Sequence, residues 1–118
     1  MQIQLNTDHT IPGSESLAAH LDRTVRTALE RFASRVTRVE VHLTDMNGRN
    51  KSGGDDKRCT MEARIAGRQP LSVSHDAPAV ALAIDGATTK MGRALDSVFG
   101  KLEAARRHGA SAATDEAT

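Results

Sequence analysis

Aromatic residues are almost missing from this chain. Its 118 residues include two phenylalanines, Phe32 and Phe99, and no tryptophan or tyrosine. A core built with so few rings must be aliphatic, and a surface without them offers no platform on which unpaired bases stack, which argues against the recognition chemistry of single-strand binders. There is one cysteine, Cys59. It cannot form an internal disulfide, and a reducing, cytoplasmic setting fits. No apolar run approaches the ~18 residues that a membrane-spanning helix needs. The N-terminus alternates apolar and polar residues from the start, without the basic and apolar regions of a signal peptide.

Sites for chemistry are equally scarce. His9, His20, His42, His75 and His108 show no metal-ligand spacing, and a lone cysteine makes no zinc site. Asp55 and Asp56 follow two glycines, but the calcium-loop spacing and its terminal glutamate are absent. The stretch Gly48-Arg49-Asn50-Lys51-Ser52-Gly53-Gly54 lacks the closing residues and following helix of a phosphate-binding loop. Cys59 alternates with Met61 and Ala63 on what reads as an inward face, so it is a structural thiol without a neighbouring base. The expectation is a protein that is not an enzyme and carries no cofactor or metal.

What the chain does have is unevenly placed charge. The formal net charge is only +1, yet all sixteen lysines and arginines fall between Arg23 and Arg107. Residues 21–108 carry 16 basic and 11 acidic side chains, a net of +5, while the ends are acidic. A modestly basic body is the electrostatic footprint of a polyanion binder at its weaker end, or of a well-solvated surface.

Periodicity divides the chain into six elements. Residues 2–6 alternate, with Ile3 and Leu5 on one side, and predict a strand. Pro12-Gly13 marks a turn, and Ser14 is placed to cap a helix over 15–34 whose stripe is Leu17, Leu21, Val25, Ala28, Leu29 and Phe32. Arg23, Arg26 and Glu30 lie on its outer face; His20 and Arg31 share a flank. Residues 37–45 alternate again around Val39, Val41 and Leu43. A glycine-rich loop over 46–56 precedes a third strand, 57–66, with Cys59, Met61, Ala63 and Ile65 inward. A hairpin at Gly67-Arg68-Gln69 leads to a fourth strand, 70–75, with Leu71, Val73 and His75 inward. Asp76 is the expected cap of a second helix reaching about Arg107. Its stripe is Ile84, Met91, Leu95, Val98 and Leu102, with Lys90, Arg93, Ser97 and Lys101 on the opposite side. Gly86, Gly92 and Gly100 interrupt it, each costing about 1 kcal/mol against alanine. They mark either a loosened helix or a close approach to a partner.

Every strand has one apolar face and every helix one stripe. The solution is an α+β fold, a two-layer β-α-β-β-β-α sandwich in which a four-stranded mixed sheet carries both helices on one face. The first two strands should be parallel, joined by the first helix. One domain spans 1–108, and the patternless residues 109–118 form a disordered tail.

The second helix carries a further signal. Ala83-Ile84-Asp85, followed by Lys90, Arg93 and Leu95, resembles the ribosome hibernation-promoting factor family, also called the ribosome-associated inhibitor or S30AE family, whose pattern is an AID triplet and then K-x-x-R-x-L. The hairpin from Lys57 to Ala63, through Gly67 to Leu71-Ser72-Val73-Ser74, and the first strand from Met1 to Asn6 fit the same family over about residues 1–105. The resemblance implies a short-form factor that binds ribosomal RNA of the small subunit in the channel used by mRNA and tRNA, holds idle ribosomes inactive under stress, and catalyses nothing. It maps an RNA-binding strip onto Lys90, Arg93 and Lys101, and less directly onto Arg23, Arg26 and Arg31.

The residues point the same way by physical argument. Cations on the outer helical faces, with Arg49 and Lys51 on the loop, suit a structured RNA surface recognised by shape and phosphate. Expected partners are the small subunit and its rRNA, not DNA or membrane; the oligomeric state is left open. The competing reading is a non-ribosomal interaction module, a homodimer through the sheet.

Overall fold

Alternation in Gln2–Thr7 and Val36–Asp45 produces two strands, β1 and β2, that lie parallel, with Ile3 opposite Val39 and Leu5 opposite Val41. The helix α1, Glu15–Ala28, makes the crossover that parallel pairing requires. Strands β3, Lys57–Ile65, and β4, Leu71–Ala77, then add antiparallel hairpin partners, so the sheet order follows the chain, β1-β2-β3-β4. A long helix, α2, Val80–Asp115, closes the fold. The computed structural model describes residues 1–8, 11, 14–46 and 56–115, with side chains to Leu102. The predicted 46–56 loop therefore lies mostly outside the described residues.

Register explains the single core. Val39 faces Ala63, Val41 faces Met61 and Leu43 faces Cys59 across β2 and β3, and all six are buried. Period two sends these residues to one sheet face, where both helices cover them with Leu21, Val25, Leu29, Ile84, Met91 and Leu95. The two-layer α+β architecture expected from the pattern is the one observed. Ile11, in the stretch read only as a turn, is 5% exposed and joins the core; its N–H donates to the Asp8 carbonyl at 3.2 Å.

Three element ends differ from the periodic reading, each for a local reason. Ser14 caps α1 as expected, its Oγ accepting from Leu17 N at 3.0 Å. The helix nevertheless stops at Ala28 rather than 34, and a separate 3₁₀ turn, Glu30–Phe32, follows. Leu29 and Phe32 are both buried, and a spacing of three fits the tighter turn, which points both side chains inward. Asp76 is no helix cap. It belongs to β4, where Arg58 opposite it takes the carboxylate at 2.8 and 3.1 Å. At the far end α2 continues past Arg107 to Asp115, so the backbone of 109–115 is helical where a tail was expected. Alanines 110, 112 and 113 are strong helix formers. Residues 116–118 lie outside the described set.

The helices run side by side in the same direction. His20 Nε2 meets Asp85 Oδ1 at 2.9 Å, and Arg31 Nη2 meets Asp96 Oδ2 at 2.6 Å. Both pairs join residues 65 apart, three helical turns separated, as two parallel axes require. Gly86 sits where α2 crosses β4, and a Cβ there would overlap the His75 ring. Of the two readings offered for these glycines, a close approach holds at Gly86, and it is to a side chain of the same chain. Gly100 has open space beside it.

Candidate nucleic-acid interface

The motif that carries the family resemblance is mostly structural. Ala83 and Ile84 are fully buried beneath α2, Leu95 likewise, and Asp85 is spent on His20 of α1. The cations of the motif remain. Lys90, Arg93 and Lys101 are exposed on α2. Lys90 does not lie directly opposite the core stripe: its Nζ donates to the Ser74 carbonyl at 2.8 Å, which places it on the flank beside the free edge of β4. At about 100° per residue, Lys101 shares that flank and Arg93 lies further toward solvent. A lysine over the carbonyls of an edge strand also blocks that edge against pairing.

The arginines of α1 divide differently. Arg23 is exposed, and among the described residues neither it, Arg93 nor Lys101 forms an ion pair. Arg26 is held by Asp22 one turn earlier, at 2.9 Å and 3.0 Å, and donates to the Met1 carbonyl. Arg31 is bound bidentately by Asp96. These two, read as outward cations, are instead partly neutralised, because helix packing brings a carboxylate to Arg31 and i, i+4 spacing brings one to Arg26. Arg49 and Lys51 lie outside the described residues.

The open face of the sheet balances its own charge. Arg38 meets Glu40, Arg64 meets Glu40 and Glu62, and Arg58 meets Asp76. Arg38 also donates to the Gln4 side chain. Three arginines answer three carboxylates. The guanidinium of Arg58 holds the Asp76 carboxyl below the usual carboxylate range and is itself raised in return. At the sheet end, the Asp56 carboxylate raises Lys57, with Asp45 adding to it. Unpaired positive charge among the described residues therefore collects on the helical side and its margins.

Two cations there escaped the sequence reading. Arg35 follows the 3₁₀ turn and lies over the Phe99 ring, 4.7 Å from its centroid. Arg68 stands exposed in the β3–β4 hairpin, where Gly67 at φ 75° makes the turn. Neither lies on a periodic face, so no hydrophobic pattern singles it out.

Burial pushes the Cys59 thiol up to about 12, leaving it protonated and unreactive. Among the described residues no group of three or more His, Cys, Asp or Glu is placed to hold a metal ion, and no helix is long and apolar enough to cross a membrane.

The geometry is thus a small α+β domain with one sheet face whose arginines are paired and a helical side that leaves Arg23, Arg93 and Lys101 without an ion pair among the described residues. The chain belongs to the family described as sigma 54 modulation protein / S30EA ribosomal protein, whose model matches residues 3–103. This is a family of ribosome-associated modulation factors. Among solved structures, the chain is similar to the N-terminal domain of Protein Y from Thermus thermophilus, with TM-score 0.66 and 14% identity over 83% of this chain and 99% of that one. A ribosomal subunit interface protein from Coxiella burnetii gives TM-score 0.65 and 12% identity over 85% and 99%. At these identities the likeness is one of fold. No curated protein matches by sequence.

Proposed function

We propose that this protein is a short-form hibernation factor: in the cytoplasm of stressed cells it binds structured rRNA of the small ribosomal subunit and blocks translation by occupying the path of mRNA and tRNA. Family membership supplies the ribosome. The observation that carries the mode of binding is the asymmetry of charge, with every sheet-face arginine paired while Arg23, Arg93 and Lys101 lack a carboxylate and Lys90 bonds only a neutral carbonyl.

Phosphate contacts dominate affinity for RNA, and each releases counterions, so binding should weaken steeply as salt rises. We assign the contacts to Lys90, Arg93 and Lys101, with Arg23 beside them. Arg26 and Arg31 share their charge with Asp22 and Asp96 and contribute less; Arg49 and Lys51 would add contacts from the loop. Presentation on a helix fixed to the sheet holds these cations in place before binding, which lowers the ordering cost.

Co-sedimentation with purified small subunits tests this. The chain should pellet with them at low salt and be released as salt rises. Charge reversal at Lys90, Arg93 and Lys101 together should reduce binding at least about a hundredfold, since three phosphate contacts become three repulsions, with little change in melting temperature. Normal binding by that variant would place the interface elsewhere.

One observation favours the second reading. The edge strand β1, Gln-Ile-Gln-Leu-Asn-Thr, has no charge or proline to deter pairing with another copy, whereas β4 is guarded by Lys90. A light-scattering mass of twice 12.6 kDa that is insensitive to salt, without affinity for subunits, would favour a dimeric interaction module.

A further inference from the structure

Each of the two aromatic rings of the chain carries a guanidinium group. Arg31 lies 4.5 Å from the Phe32 centroid, Phe32 and Phe99 stack at 5.6 Å, and Arg35 lies over Phe99 at 4.7 Å from its centroid. The two guanidiniums differ in one respect: Arg31 is consumed by Asp96, while among the described residues Arg35 has no carboxylate partner. Its side chain is exposed. We propose that Arg35 is a phosphate-binding residue, pre-set by Phe99, and that with Arg68 it forms a site for the phosphodiester backbone of RNA at the end of the domain where the 3₁₀ turn and the β3–β4 hairpin meet. The proposal rests on the RNA-binding reading above and adds a location and residues to it.

Two backbone hydrogen bonds and a groove define the site. The Arg35 carbonyl accepts from Ala66 N at 3.0 Å, tying the residue's backbone to the hairpin. The hairpin is closed by Arg68 N donating to the Ile65 carbonyl at 3.1 Å. A groove of about 460 Å³ separates Arg68, Gln69, Pro70 and Leu71 from Val98. Val98 precedes Phe99, the platform of Arg35. Arg35 and Arg68, from two elements joined by a backbone hydrogen bond, therefore border one end of the domain. Of the described carboxylates nearby, Asp96 is engaged by Arg31, Glu62 by Arg64, and Glu30 lines a different groove with Met1 and Arg26.

Stacking matters for what Arg35 can bind. A guanidinium held over a ring at its carbon keeps N–H donors free, in the fork that matches two phosphate oxygens, and loses little freedom when it engages them. An unstacked lysine would bring the same charge without the fork.

The test is a small-subunit co-sedimentation titration at several salt concentrations. Arg35→Gln should weaken binding about tenfold near 0.1 M salt and reduce the slope of log K against log salt by about one. Arg35→Lys should keep the slope and still lose severalfold. Phe99→Leu, with Arg35 intact, should also lose severalfold at unchanged slope; if it does not fold, Arg35→Lys decides. Wild-type affinity and slope in Arg35→Gln, or full affinity in Arg35→Lys, would overturn the site while leaving the α2 strip standing. Failure of the unmodified chain to bind would bring down both.

Discussion

Gly86 and Cys59 show how single residues answer to the sheet beneath them. Because a Cβ at Gly86 overlaps His75, Gly86→Ala should lower stability by about 1–3 kcal/mol from overpacking, offset by roughly 1 kcal/mol of helix propensity. Chemical denaturation of a double-mutant cycle checks this: in a His75→Ala background the same substitution should become stabilising. Cys59 titrates higher in the fold than in the unfolded chain, so its contribution is present in full below about pH 9 and falls as pH rises toward about 12. Ellman's reagent should leave it unlabelled in the native protein at pH 8 and label it after unfolding. Asp76 runs the other way. Its lowered carboxyl stabilises the fold above its ordinary value near 3.8, and that contribution fades as pH falls below it, which acid titration of Arg58→Gln beside the parent should reveal as a loss of acid sensitivity.

At the scale of elements, the parallel helices are locked by His20–Asp85 and Arg31–Asp96. The second pair is more than half exposed on both sides, so it adds at most about 1 kcal/mol. Its larger effect is on charge. Asp96→Asn should cost little in thermal melts and, by freeing Arg31, tighten binding to small subunits at low salt. Unchanged affinity would mean that the flank between the helices faces away from RNA. How much of this was legible in sequence follows from distance along the chain. Strand faces, the α1 stripe and its Ser14 cap repeat over two to four residues, and each stood out as a pattern. The partner of Arg31 is 65 residues away, the partner of Asp76 is across a hairpin, and Ile11 sits in a turn without period. None of these leaves a local trace.

Over the whole molecule, charge that is nearly balanced in composition is sorted between faces. The sheet face pairs its arginines; the helical side leaves Arg23, Lys90, Arg93 and Lys101 toward solvent, with Arg35 and Arg68 at the end. This sorting is what makes a chain of net +1 a credible partner for polyphosphate, since a local field within a Debye length counts for more than the total. Subunit binding should accordingly have a salt slope set by these few contacts, well below the basic residue count of sixteen. A slope near zero would assign the ribosomal contact to apolar or neutral surface instead.

Sequence by itself determined the element order, the aliphatic core and the two-layer plan, because burial of periodic apolar faces admits few arrangements. It also placed the cations of α2 on the surface. Only the tertiary structure decided which cations are free. Asp22 pairs Arg26 within its own helix, but elsewhere pairing depends on which carboxylate the packing of a distant element carries to within about 3 Å, so that Arg31 ends bound across the helices and Arg35 poised on a ring.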